Sequence, residues 1–147
     1  MSRLPPERSV RIRTAAVAAI ASHARAERPR ECCGLLIGVD DVVIDAVATA
    51  NVAADPVRQY EIPPAEYVAQ IRRCRTLSAE TGRRHDVIGA YHSHPGSAPM
   101  PSPTDLEEAF GEFVFVIAGP VTDAGEIEMR AYRLEGGRFE SIELIAD

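Results

Sequence analysis

Four histidines occur in the 147-residue chain, and two of them stand as His92-Ser93-His94. On an extended segment, residues two apart project to the same face. The two imidazoles would therefore point the same way. Asp105 follows after ten intervening residues. Imidazole and carboxylate suit zinc, and three protein ligands leave a fourth position for water, as in catalytic rather than structural zinc sites. The same stretch has a purely structural reading. Ser102-Pro103-Thr104-Asp105 fits a helix start, with Ser102 as N-cap, Pro103 as the first helical residue and Asp105 as the acidic partner of a capping box. The readings are compatible, because a helix start would hold Asp105 as rigidly as a ligand requires. Glu31 is the next candidate. A carboxylate beside a zinc-bound water would take its proton and later hand it to a leaving amine. With 22 acidic residues in the chain, the plain alternative for Glu31 is an exposed structural carboxylate.

These residues need elements to position them. Residues 33–38 form a short apolar run that reads as a buried strand, with Glu31 just ahead of it. Residues 87–91 read as a strand leading into His92-Ser93-His94-Pro95. A proline-punctuated loop follows, then a short helix over 104–110. Upstream, residues 10–13 alternate as a strand would. Thr14 is placed to cap a helix running to Glu27, with Ala16, Ile20 and Ala24 on its core face. Residues 42–52 and 59–62 give two further strand signals. Pro63-Pro64 opens a helix over 65–80, whose inner face would be Val68, Ile71, Cys74 and Leu77. Residues 113–118 read as an apolar strand, and 126–145 as a closing hairpin around Glu135-Gly136-Gly137. The expected fold is α/β (α+β): a mixed sheet flanked by helices in one domain spanning 1–147, with residues 1–8 a loose start.

Composition narrows the function classes. Sixteen Lys+Arg against 22 Asp+Glu leave a net charge of −6. A general nucleic-acid binder needs a basic face, so none is expected as a partner. The arginines at 72, 73, 75, 83 and 84 are read as a solvated face, with an acidic partner or RNA as the alternative. No apolar run nears the ~20 residues that span a bilayer. The arginines before residues 15–21 loosely imitate a signal peptide. That run is short, Ala-dominated and preceded by two prolines, and reads as an ordinary helix. Three cysteines make no disulfide framework and point to a reducing cytoplasm. Cys32 or Cys33 beside a histidine would suit a thiolate hydrolase. Cys33 is expected to be buried and inert, Cys32 to lie nearer the site, and Cys74 to serve packing. Asp40-Asp41 reads as a turn.

Glu31, then His92-Ser93-His94-Pro95, six residues, and Ser102-Pro103-Thr104-Asp105 resemble the JAMM motif of the MPN+ (Mov34/MPN/PAD-1) metallopeptidases, E…H-[S/T]-H-P-x6-S-x-x-D. Every fixed position is filled. Residues 31–38 and Asn51-Val52-Ala53 look like the compact prokaryotic branch, and the likeness runs from about Val10 to Ile145. The resemblance implies a cytidine-deaminase-like MPN/JAB1 domain with a mostly antiparallel sheet. It implies one Zn2+ per chain on His92, His94 and Asp105, Glu31 as general base, and Ser102 as hydrogen-bond donor to the oxyanion. Ser93 would project away and steady the loop.

The implied reaction is hydrolysis of an amide or isopeptide bond by zinc-activated water. The implied substrate is the Gly-Gly-type tail of a ubiquitin-like or sulfur-carrier β-grasp protein, whose glycines fit a narrow cleft. The chain is too short for the insertions of chain-specific eukaryotic deubiquitinases. Two alternatives remain: a non-catalytic MPN scaffold, and a DNA-repair-associated JAB-domain protein, which the acidity disfavours.

Overall fold

The computed structural model describes residues 8–108 and 113–147. The order of elements is β1 (Ser9–Ile12), α1 (Thr14–Glu27), β2 (Cys33–Val39), β3 (Val42–Thr49), α2 (Pro64–Thr81), β4 (His85–Ser93), α3 (Pro103–Glu108), β5 (Val114–Val121), β6 (Ile127–Glu135) and β7 (Arg138–Ala146). The strands follow one another in the sheet as β1-β3-β2-β4-β5-β6-β7, and the sheet closes on itself. Pairing is antiparallel for β2 with β3, β2 with β4, β5 with β6 and β6 with β7. It is parallel for β4 with β5 and for β1 with both β3 and β7. A mixed sheet was expected. Its closure is the work of the four-residue β1, which lies between the first hairpin and the last.

The two faces of β4 set up everything that follows. Tyr91 turns toward α1, into a core with Ile20, Leu36, Val43 and Val116. Ile20 is fully buried, and such a side chain contributes roughly 1.5–3 kcal/mol. Gly34 of β2 pairs with Tyr91, and a Cβ there would overlap both the Tyr91 ring and the Val47 carbonyl. Only glycine lets the ring lie flat on β2. The opposite face carries Leu35, Ala90 and Phe115, with Tyr67 of α2 packed on them. His92 continues that second face, since residues two apart on a strand share a side.

Several local expectations change. Thr14 is the first residue of α1 rather than its cap, and Arg13 precedes the helix with no side-chain cap bond. The Thr14 hydroxyl donates instead to the Asp147 carbonyl at 2.8 Å, because chain closure brings the end of β7 there. On α2, Val68 is exposed, and the sheet-facing line runs through Tyr67, Ile71 and Cys74. Residues 59–62 pair with no strand; the side chain of Asn51 holds them. Asp40-Asp41 does form a turn, with positive φ at both residues. Arg73, Arg83 and Arg84 lie on the surface and pair with Asp45, Asp40 and Asp86. The loose start at residues 1–8 lies, apart from Arg8, outside the described residues, as do Ala109 and Phe110 of the expected short helix. Among the described residues, no helix is long and apolar enough to cross a membrane.

Candidate metal centre

The end of β4 and the loop after it bring His92 and His94 onto one side. His92 pairs with Cys33 on β2 and Ile117 on β5, so strands flank it on both edges. The His94 N–H donates to the Ala118 carbonyl at 2.7 Å, which prolongs the parallel ladder just past β4. Asp105 arrives on α3. Its carboxylate accepts the Ser102 N–H at 2.8 Å, and its own N–H donates to Ser102 Oγ at 3.0 Å. The reciprocal capping box is therefore present. It also holds the Asp105 carboxylate against both histidines, at 3.2 Å from His92 Nε2 and 3.1 Å from His94 Nε2.

Glu31 completes the group. One ligand atom from each of Glu31, His92, His94 and Asp105 lies within 4.8 Å of all the others, and all four residues are buried. Glu31 belongs to no helix or strand. It is carried to the site because Cys32, its neighbour, is fastened to β4: the Cys32 N–H donates to Ser93 Oγ at 2.8 Å, and the Ser93 N–H to the Cys32 carbonyl at 3.1 Å. Ser93 thus points away from the histidines and steadies the segment that bears Glu31.

The donor set suits a cation. His94 Nδ1 lies 2.9 Å from the Ala98 carbonyl, an acceptor, so Nδ1 carries a proton and Nε2 faces His92 and Asp105. His92 Nε2 lies 3.1 Å from His94 Nε2, two ring nitrogens converging on one point beside a carboxylate. Among the described residues, buried Glu31 Oε1 has no hydrogen-bond partner. A buried polar atom without a partner is costly, which is tolerable where a ligand completes it. Ring nitrogens and carboxylate oxygens converging among buried residues fit a divalent ion bound by nitrogen and oxygen.

Electrostatics separate the two carboxylates. Removal from water dominates at Glu31 and pushes its carboxyl up to about 7, with His94 opposing and Asp105 and Asp55 adding to the rise. Burial works the same way at Asp105, but hydrogen bonds to His92 and His94 outweigh it and hold the carboxyl well below the usual range. Burial pulls His92 down. One carboxylate stays ionised, while the other can exchange a proton near neutral pH. That is the division an ion-binding group and an acid–base group need.

Among the described residues, the cysteines lie outside this group of four. Burial pushes the Cys32 and Cys33 thiols up to about 11, where thiolate is scarce at neutral pH. Cys32, expected nearer the site, packs instead into the α1 core, while Cys33 shares the face of His92 and meets Thr49 and Ala50. Nothing in the residue pattern pointed to Tyr60, whose ring stacks on His92 at 4.2 Å and 17°. It lies in residues 59–62, whose pattern suits a strand and marks no site. Tyr132 was also unanticipated: its hydroxyl donates to the Pro99 carbonyl at 2.8 Å and anchors the loop that carries Ala98.

Residues 13–135 match the family model described as prokaryotic homologs of the JAB domain. Desampylase of Haloferax volcanii is 36% identical over 135 residues, covering 87% of this chain and 89% of that protein. The ubiquitin carboxyl-terminal hydrolase RPN11 of Saccharomyces cerevisiae is 31% identical over 137 residues; the match covers 86% of this chain but only 44% of the yeast protein. The solution structure of a Desulfitobacterium hafniense protein superposes with a TM-score of 0.81, at 21% identity, over 94% of this chain and 92% of the other.

Proposed function

This chain belongs to the JAMM/MPN+ family, in its compact prokaryotic JAB branch, and on that premise we propose that it is a zinc metallopeptidase cleaving an isopeptide or amide bond at the Gly-Gly-type tail of a ubiquitin-like or sulfur-carrier β-grasp protein. The observation that carries the reading is the buried group of Glu31, His92, His94 and Asp105, within 4.8 Å of one another, with Glu31 Oε1 left unpartnered. His92, His94 and Asp105 would hold the ion. When bound, zinc acidifies a water and polarises a carbonyl.

The remaining steps belong to the chain. Glu31 accepts the proton of the attacking water on its free oxygen. It then returns the proton to the leaving amine, for which a pKa near neutrality is suited. Ser102 Oγ accepts the Asp105 N–H, so its own hydrogen remains available to the oxyanion. The names of the relatives, a desampylase and a ubiquitin carboxyl-terminal hydrolase, support a hydrolase acting on protein conjugates.

The test is metal content of the purified chain, with cleavage of a Gly-Gly-tailed ubiquitin-like fusion run beside Glu31→Gln. One zinc per chain with Glu31-dependent cleavage is expected. Zinc without cleavage would overturn the substrate class. No zinc after reconstitution would leave a scaffold whose Ser102–Asp105 contact is only a helix cap.

A further inference from the structure

Glu31 and Tyr60 reach the site from segments with no regular structure, and one side chain ties both. Asn51 Nδ2 donates to the Glu31 carbonyl and to the Gln59 carbonyl, each at 3.0 Å. Asn51 Oδ1 accepts the Ala53 and Glu61 N–H groups, each at 3.0 Å. A primary amide offers two donors and two acceptor sites, and all four are used. The loop so closed does two further things. Its Pro56 carbonyl accepts the Glu31 N–H at 2.7 Å, so the backbone of Glu31 is gripped on both sides by residues 51–56. Its far end sets Tyr60 on the ring of His92, 4.2 Å away.

We propose that Asn51 is a positioning residue that sets the Glu31 carboxylate and, through Tyr60, the plane of the His92 ring. The proposal rests on the reading of Glu31 as base and His92 as ligand. Ordinary loop closure would need only the bonds to Ala53, Gln59 and Glu61. The bond to Glu31 crosses to another segment and adds nothing to the loop. The inference is therefore that the loop is built around the site, and not merely near it. Groups that orient ligands and bases commonly matter 10–100-fold in metal affinity or activity.

Asn51→Asp is the sharpest variant. It keeps shape and size but turns two donors into acceptors facing two carbonyls. With the full-length chain, zinc affinity is measured by chelator competition, and kcat and KM on the Gly-Gly-tailed fusion at saturating zinc. The expected result is a folded protein with zinc affinity lowered about tenfold or more and kcat lowered about 10–100-fold, with KM little changed. In a Glu31→Gln background, Asn51→Asp should lower kcat no further while still weakening zinc. Wild-type zinc affinity and kcat in folded Asn51→Asp would overturn the proposal while leaving Glu31 as base. Hydrolysis surviving in Glu31→Gln would overturn the base assignment instead, and the zinc measurement would still report on Asn51. Should Asn51→Asp not fold, Tyr60→Leu removes the stack and leaves the amide bonds in place. Unchanged zinc affinity in that variant would then overturn the link to His92.

Discussion

Four successive residues at the end of β4 and just beyond it are almost equally buried, yet they form two unlike polar clusters. Tyr91 and Ser93 are each 1% exposed, His92 is 2% and His94 6%. On the α1 face, the Tyr91 hydroxyl lies 2.8 Å from His23 Nδ1, and Ser93 Oγ accepts the Cys32 N–H at 2.8 Å. Each polar group there has a partner, as buried groups generally do. On the other face, Glu31 Oε1 has none among the described residues, while His92 Nε2, His94 Nε2 and the Asp105 carboxylate crowd together at about hydrogen-bond distance. Burial alone cannot tell a structural cluster from a functional one. What separates them is whether the hydrogen-bonding capacity closes on itself or is left pointing at a common space.

If that distinction is right, substitutions on the two faces should differ in kind. The largest effect is expected for His92→Ala, which should lose tight zinc and with it hydrolysis; elemental analysis of a purified variant still holding one equivalent would strike His92 from the ligand set. Glu31→Gln comes next, with zinc and fold kept and kcat down about 10²–10⁴-fold, the usual range for a general base. Undiminished turnover in that variant would end the assignment. Ser102→Ala should cost ~3 kcal/mol in the barrier, on the scale of other oxyanion donors. Its capping bond is lost too, so steady-state kinetics must be paired with thermal melts. A stability loss without any change in kcat would leave Ser102 as a cap only.

A fourth prediction concerns pH. Desolvation raises Glu31 from an ordinary 4.5 to about 7. The folded, metal-free protein therefore keeps a proton that the unfolded chain releases in that window. Stability falls as pH rises across it. Glu31→Gln removes this ionisation, so the metal-free variant should gain on the wild type between pH 4.5 and pH 7. Parallel stability curves over that range would contradict the raised value. The smallest effect is expected on the closed face. Tyr91→Phe should cost ~1 kcal/mol of stability for one lost hydrogen bond and leave zinc binding untouched. A loss of zinc there would mean the two faces are not independent.

Much of the candidate site was legible because its parts are local. Ser102 and Asp105 lie three apart and bond to each other, and His92 and His94 share a side because extended backbone alternates. Glu31 is a candidate on residue type and place alone, and likeness to a motif gives it weight. Its pattern is that of any carboxylate before a strand. Tyr60 is silent for the same reason, and Asn51 shows in the family likeness but not in its role, since their partners lie 32 and 20 positions away. The misread line of α2 has a different cause. Val68 and Tyr67 both fit a helical stripe, and only packing on Phe113 and the β4 face decided for Tyr67.

By itself the sequence determined the elements, the direction of the two histidines and the helix start that steadies Asp105, because each is written in hydrogen bonds and alternation within a few residues. The tertiary structure decided the rest. Pairing of β2 with β4 set Glu31 beside the histidines, the short β1 closed the sheet, and the loop around Asn51 delivered Tyr60. These depend on contacts between distant segments, whose free energy comes from burial and cross-strand bonding that no local pattern encodes.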